Sequence, residues 1–332
     1  MDKILNKYPL AFELLHGEVS VSEIVLVHGM AQEQETADSL EESWLPALAG
    51  GIRVAGYADL ADRIWRNRHS GDRIEVRMAA YGDLFLTPGV QGSGDDLDDL
   101  GSLEHAVAES VTAEWLQRAA EREDHPDHKT AVRELGFLNP THETQGIKEE
   151  AARVMINAAT RLSWFGGGGA MAVAERLKKP LRQVTAYLTD QALRDEIQSR
   201  VLAHVGPETK VIVGHSLGSV VAYEIVAQHL PTRLPLLVTL GSPLGLRSII
   251  YDRLQPQPPG YPEGARRWVN IADRNDLVAA EPDLTGLFER NRPTDAILES
   301  RWTVDNGAEA HKGEYYLGKR EVGRPIAEAL SE

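Results

Sequence analysis

Apolar residues along this chain fall into two rhythms. Short continuous runs occur at Ile24–Val27, Val211–Val213, Leu234–Leu240 and within Arg267–Ala272. They are rich in β-branched residues and read as strands buried on both faces of a sheet. Arg73–Tyr81 alternates only partly and reads as a further strand, with Arg301–Val304 as a short last one. Between these runs apolar residues recur at helical spacing: Leu40, Trp44, Leu45 and Leu48, then Leu60, Ile64 and Trp65. Gly50-Gly51 reads as a break within that stretch, giving one or two helices. Leu181, Val184, Leu188, Ile197 and Val201 run down one long helix, and Glu321–Leu330 closes the chain as another. Tyr251–Gly264 is rich in proline and reads as a loop. Strands alternating with helices, without an internal repeat, predict an α/β fold with a mostly parallel sheet and helices on both faces.

The alternation lapses between 87 and 179. Leu103, Val107, Val111, Trp115 and Ala119 mark one amphipathic face, and Ile147, Ala151, Met155, Ala158 and Leu162 mark another. The expected organisation is therefore a core built from 1–86 and 180–332, with 87–179 inserted as a helical cap. Within the insertion, Asp95, Asp96, Asp98 and Asp99 lie close together, but the spacing does not fit a calcium loop and a solvated acidic loop is the expectation. His125 and His128 flank Pro126, which breaks any helix that would align them as ligands, so they read as a surface loop. No metal and no cofactor are expected. Trp164–Met171 sets two aromatics beside four glycines. It reads either as a lid tip making transient contact with lipid or as a close helix crossing where only glycine fits.

Composition narrows the partners. The formal charge of −15 and a pI near 5.2 argue against nucleic acid and against an anionic membrane surface. Cysteine is absent, which excludes disulfides and thiolate metal sites. The first residues hold no apolar leader with a cleavage site, and no run approaches the roughly 18 apolar residues of a membrane span. A cytoplasmic protein without a stable membrane anchor is the expectation.

Chemistry concentrates where the Val211–Val213 strand ends. Gly214-His215-Ser216-Leu217-Gly218 fits G-x-S-x-G with a strand before it and a helix after it. That arrangement holds a serine hydroxyl clear of the sheet and points the helix N-terminus at any negative charge developing there. A serine hydroxyl needs a base, and the base needs a carboxylate to fix its tautomer. Only two histidines follow Ser216. His229 lies at the far end of the elbow helix, too distant to return, which leaves His311. For the carboxylate, Asp276 and Asp273 both lie just beyond the Arg267–Ala272 strand, and Asp276 is favoured because Asp273 suits a turn cap. His28-Gly29 ends the first strand, so the Met30 and Leu217 backbone N–H groups are the candidate oxyanion donors, with His28 packing beneath the loop.

These residues together resemble the α/β-hydrolase superfamily, and within it bacterial lipase- and esterase-like serine hydrolases. The likeness rests on Val27-His28-Gly29, the Gly214–Gly218 elbow, Gly241-Ser242-Pro243, and a W-x-N-x-x-D-x-x-D-x-V pattern at Trp268, Asn270, Asp273, Asp276 and Val278. In that pattern the resemblance makes the second aspartate, Asp276, the triad acid. An H-x-x-Y-L pattern is matched loosely, with Tyr316-Leu317 two residues late after His311. The resemblance covers about 22–86 and 181–330 and implies an α/β-hydrolase fold and hydrolysis of a small-molecule or lipid-like carboxylic ester through an acyl-serine. The rivals are amide or thioester cleavage by the same groups, a non-catalytic binding module on the scaffold, and a lipid- or partner-docking protein.

Overall fold

The computed structural model describes residues 22–86, 113–123, 127–138 and 180, and 182–332 except 231, 248, 249 and 280. Among these residues six strands form one wholly parallel sheet in the order β2-β1-β3-β4-β5-β6. They are β1 (Ile24–Val27), β2 (Val76–Ala79), β3 (Val211–His215), β4 (Leu234–Leu240), β5 (Ala265–Asp273) and β6 (Ile297–Val304). The central strands are the ones that read as continuous apolar runs. Side chains alternate across a strand, so each run feeds two cores. Ile24, Leu26, Val211, Val213, Leu236 and Val238 face one core. Val25, Val27, Ile212, Leu237 and Trp268 face the other. Each such side chain, taken fully out of water, contributes about 1.5–3 kcal/mol before entropy is set against it.

The first core is covered by α1 (Ala37–Val54), α2 (Ala58–Ile64) and the carboxyl-terminal helix α7 (Arg320–Ser331). Thr36 and Ser39 cap α1 reciprocally, each side chain bonding the other's backbone N–H. Gly50-Gly51 does not break this helix; the chain turns after it, at Gly56 with φ +102°. Gly51 is there for approach. A Cβ on it would sit 2.1 Å from the carbonyl oxygen of Leu317 at the end of α6 (Gly313–Leu317), and one on Gly323 would sit 2.1 Å from Gly51. The pair lets α1 cross the C-terminal helices backbone to backbone.

The second core is covered by α5 (Leu217–Gln228), which is apolar all round and buried accordingly. Its one carboxylate, Glu224, is fully buried but supplied with donors: the Tyr187 hydroxyl at 2.7 Å, the Gln198 amide at 3.0 Å and the Gln255 backbone N–H at 2.9 Å. Gln198 belongs to α4 (Gln191–Leu202), which Asp190 caps. The single long helix expected over 181–201 is therefore divided, with a helical stretch at 182–189 before the cap.

Three further boundaries differ from expectation. β2 is confined to Val76–Ala79, and β6 begins four residues early, at Ile297. As an edge strand β6 carries Glu299 and Arg301 in ion pairs rather than an apolar run, so the pattern signalled only its last residues. His128 opens a helix, α3 (His128–Leu138), instead of lying in a loop; His125 and Pro126 lie outside the described residues. Within the expected cap, 113–121 is also helical, and Trp164–Met171 lies outside the described residues. Among the described residues no helix is long and apolar enough to cross a membrane.

Topology alone creates a crevice. The connection after β1 runs over one face through α1, and the connection after β3 runs over the other through α5. β1 and β3 are neighbours, so their carboxyl ends diverge at a switch point, where ligands bind in open α/β sheets.

Candidate active site

Ser216 stands at that crevice. Its backbone has φ 54° and ψ −126°, a region that costs a non-glycine residue about 1–3 kcal/mol and is held only where its surroundings over-determine it. Two glycines make the turn possible. A Cβ on Gly214 would meet the Gly218 carbonyl oxygen at 2.4 Å, and one on Gly218 would meet the carbonyl oxygens of both Val27 and His28 at 2.3 Å. The turn is tied down by the Ser216 N–H on the Leu240 carbonyl at 3.0 Å and by the Ser219 hydroxyl, which donates to the Ser216 carbonyl at 2.5 Å. The side chain is thereby aimed out of the sheet.

Two loops from other strands meet it. His311 Nε2 lies 2.9 Å from Ser216 Oγ, and His311 Nδ1 lies 2.8 Å from Asp276 Oδ2. Ser216, His311 and Asp276 thus form one hydrogen-bonded line. The Asp276 carboxyl is fully buried and accepts two further hydrogen bonds: Val278 N–H donates to Oδ1 at 2.9 Å and the Tyr316 hydroxyl donates to Oδ2 at 2.8 Å. Burial pushes this carboxyl up, but the His311 ring and the two side-chain hydrogen bonds outweigh it and hold it below its ordinary value. Tyr316 is pushed well above its own ordinary value, by burial first and then by the carboxylate, so it keeps the proton it donates. The same hydroxyl accepts from Asp273 N–H at 2.7 Å.

Asp273 has a different occupation. Its Oδ1 accepts the Asn275 N–H at 2.7 Å, closing the turn that carries Asp276, and its Oδ2 accepts the Asn306 N–H, tying in the loop that carries His311. The two aspartates left open by the sequence are therefore separated by geometry: Asp276 touches the histidine and Asp273 joins the loops. His229 sits at the far end of α5 with its ring on Gln198, away from the line. Tyr316 was visible in the sequence only as a Tyr-Leu pair in the wrong register, and its contact with Asp276 is made by folding.

Two buried histidines support the floor. His28 donates from Nδ1 to the Gly29 carbonyl at 2.8 Å and accepts the Tyr81 N–H on Nε2 at 3.0 Å, which assigns its neutral tautomer. His215 donates from Nε2 to the His311 carbonyl at 2.8 Å, with its ring 4.7 Å from that of His311. Burial is the first cause that lowers both, to about 4 for His28 and to about 3 for His215, where the neighbouring His311 adds to it. Their ordinary value in an unfolded chain is about 6.5. Below that value the unfolded chain binds protons that these rings refuse in the fold, so stability rises with pH through this window and is lost as pH falls from about 6.5 towards 4. At about 1.4 kcal/mol per pH unit, His28 alone accounts for about 3 kcal/mol of that loss. Urea midpoints measured from pH 7.5 to 4.5 should fall accordingly, with both imidazole signals failing to titrate by NMR. A ring that titrates near pH 6 contradicts this account.

A cavity of about 420 Å³ opens above the line, among residues that include Met30, Trp44, Pro180, Ser216, His311 and Glu314. Met30 follows β1 on one side of the crevice, and Leu217 heads α5 directly behind Ser216. Among the described residues no group of three or more His, Asp or Glu is placed to hold a metal ion.

Comparison with known proteins agrees with the sheet. Residues 165–313, which span the elbow through to His311, match the family model of the alpha/beta hydrolase fold. The match and the parallel sheet together give this chain the α/β-hydrolase fold. Two homoserine O-acetyltransferases, from two strains of Thermus thermophilus, are each 28% identical to it over 177 residues. The matched part is 52% of this chain and 42% of each relative, so the chain spans less than half of their length. No solved structure matches. What this α/β-hydrolase-fold protein places at its switch point is a serine on a tight turn, an imidazole and a buried carboxylate in one line, with helix α5 beginning behind the serine. Such a set can move a proton off a hydroxyl and hand it on.

Proposed function

We propose that this protein is a serine acyl hydrolase that cleaves a carboxylic ester through an acyl-Ser216 intermediate. The observation that carries the reading is the unbroken line from Ser216 Oγ to His311 Nε2 and from His311 Nδ1 to Asp276. His311 takes the serine proton as Oγ attacks the acyl carbon, then gives it to the leaving alcohol. Asp276 keeps Nδ1 protonated and stabilises the imidazolium. The tetrahedral oxyanion is held by the backbone N–H groups of Met30 and Leu217, aided by the N-terminus of α5. Water then attacks the acyl-serine, His311 accepts its proton, and the acid leaves with Ser216 regenerated.

A second reading has support of its own. The relatives are named as O-acetyltransferases, and an acyl-serine resolves as readily onto an acceptor hydroxyl as onto water when the site holds the acceptor and excludes water. Amides and thioesters use the same groups. A fluorophosphonate probe combined with a panel of p-nitrophenyl esters, thioesters and anilides tests the reading, run with and without small alcohols and with detergent in case the pocket is closed. Labelling with release of free acid supports the hydrolase. Labelling with acyl transfer to an alcohol in preference to water supports the second reading. Absence of labelling and of turnover under every condition rejects both.

A further inference from the structure

The loop that follows β1 is set by a residue far away in the chain. Ala31, next to Met30, has φ 59°, the left-handed region that a non-glycine residue avoids unless something holds it there. Its N–H donates to Gln183 Oε1 at 2.8 Å, across 152 positions of sequence. The other end of that amide, Nε2, donates to Glu33 Oε2 at 2.9 Å. Gln183 and Glu33 are both buried. The two bonds also orient the amide. A flip would set its NH2 against the Ala31 N–H and its oxygen against a carboxylate, so only one placement satisfies both partners. One buried amide thus clamps the loop at Ala31 and at Glu33, directly beside the Met30 peptide.

We infer that Gln183 is a positioning residue for acyl transfer, holding the loop in the conformation that aims the Met30 N–H at the developing oxyanion. The inference rests on the acyl-serine reading above. Pinning the Ala31 N–H fixes the rotation on either side of it, and with it the direction in which the preceding peptide points. Released, Ala31 relaxes to negative φ and the Met30 N–H turns from its target. Gln183 touches no substrate atom in this role. Its removal therefore weakens the transition state and leaves the ground state nearly untouched.

Three variants test this: Gln183→Met, Gln183→Glu, and Gln183→Glu combined with Glu33→Gln. The pair exchanges amide and carboxylate, so an acceptor still faces the Ala31 N–H and a donor still bridges to it. With the best p-nitrophenyl ester, Gln183→Met should lower kcat about 10- to 100-fold, with KM changed less than about threefold, because one oxyanion donor is misdirected. Affinity for a benzeneboronic acid, which forms the tetrahedral anion on a serine, should fall by the same factor. Gln183→Glu alone sets two carboxylates together and should lose comparably, while the exchanged pair should recover most of the activity and the boronate affinity. A folded Gln183→Met enzyme with kcat within twofold of wild type overturns the inference. So does a loss of kcat with boronate affinity unchanged, or an exchanged pair no better than Gln183→Glu alone. Should Gln183→Met fail to fold, the comparison between Gln183→Glu and the pair decides. Wild-type protein that neither labels with fluorophosphonate nor turns over ester rejects the acyl-serine reading itself, a distinct result.

Discussion

Replacing Ser216 by alanine should lower ester turnover by about 10⁶-fold and abolish fluorophosphonate labelling, with the fold intact. The magnitude follows from what the hydroxyl does. Without Oγ there is no acyl intermediate, and His311 Nε2 has lost the group it faces at 2.9 Å. The proposed oxyanion donors and the pocket remain, so a residual rate of about 10³ over water is expected, from water attacking directly. Stability should scarcely move. The side chain is small, its hydrogen bond is to a partly exposed ring, and alanine is no worse than serine at φ 54°. Circular dichroism and a thermal melt establish the fold, and a burst assay with a p-nitrophenyl ester measures the loss. Labelling that survives the substitution would place the nucleophile elsewhere.

Asp276→Asn should lower kcat by about 10⁴-fold with little change in KM. The effect comes from the hydrogen-bond pattern rather than from size. Asp276 accepts at Oδ2 from His311 Nδ1 and from Tyr316, and at Oδ1 from the Val278 N–H. An amide offers one oxygen and one NH2. If the NH2 faces His311, it forces Nδ1 to accept, which puts the proton on Nε2, where it cannot take one from Ser216. If the NH2 turns to the other side, it meets the Val278 N–H, donor against donor. Asp273→Asn is the control. There the carboxylate serves the Asn275 and Asn306 backbone N–H groups, so the cost is about 1–3 kcal/mol of stability, with kcat changed far less. A larger kcat loss at 273 than at 276 would reverse the assignment.

Much of the architecture could be read locally. The runs Ile24–Val27, Val211–Val213 and Leu234–Leu240 announce central parallel strands because burial on both faces leaves no polar positions to interrupt them. Gly214–Gly218 announces the turn because only glycine permits α5 to pack so close to β1. Chain order left His311 as the candidate base by elimination. Errors fell where packing overrides local signal. Gly50-Gly51 looked like a break, yet its second glycine is needed inside α1 for the contact with Leu317. β6 looked half its length, because an edge strand is free to carry charge.

The sequence by itself determined the layered α/β class, the serine on its elbow and the candidate histidine, since each is written in consecutive residues or in their order. Only the tertiary structure set Asp276, and not Asp273, against His311, brought Tyr316 onto that carboxylate and set Gln183 beneath the β1 loop. Those bonds join residues separated by 35, 40 and 152 positions. No local periodicity encodes which donor will meet which acceptor at such separations. The sheet decides it, by bringing the carboxyl ends of parallel strands to one edge, where buried polar groups must find one another or go unsatisfied.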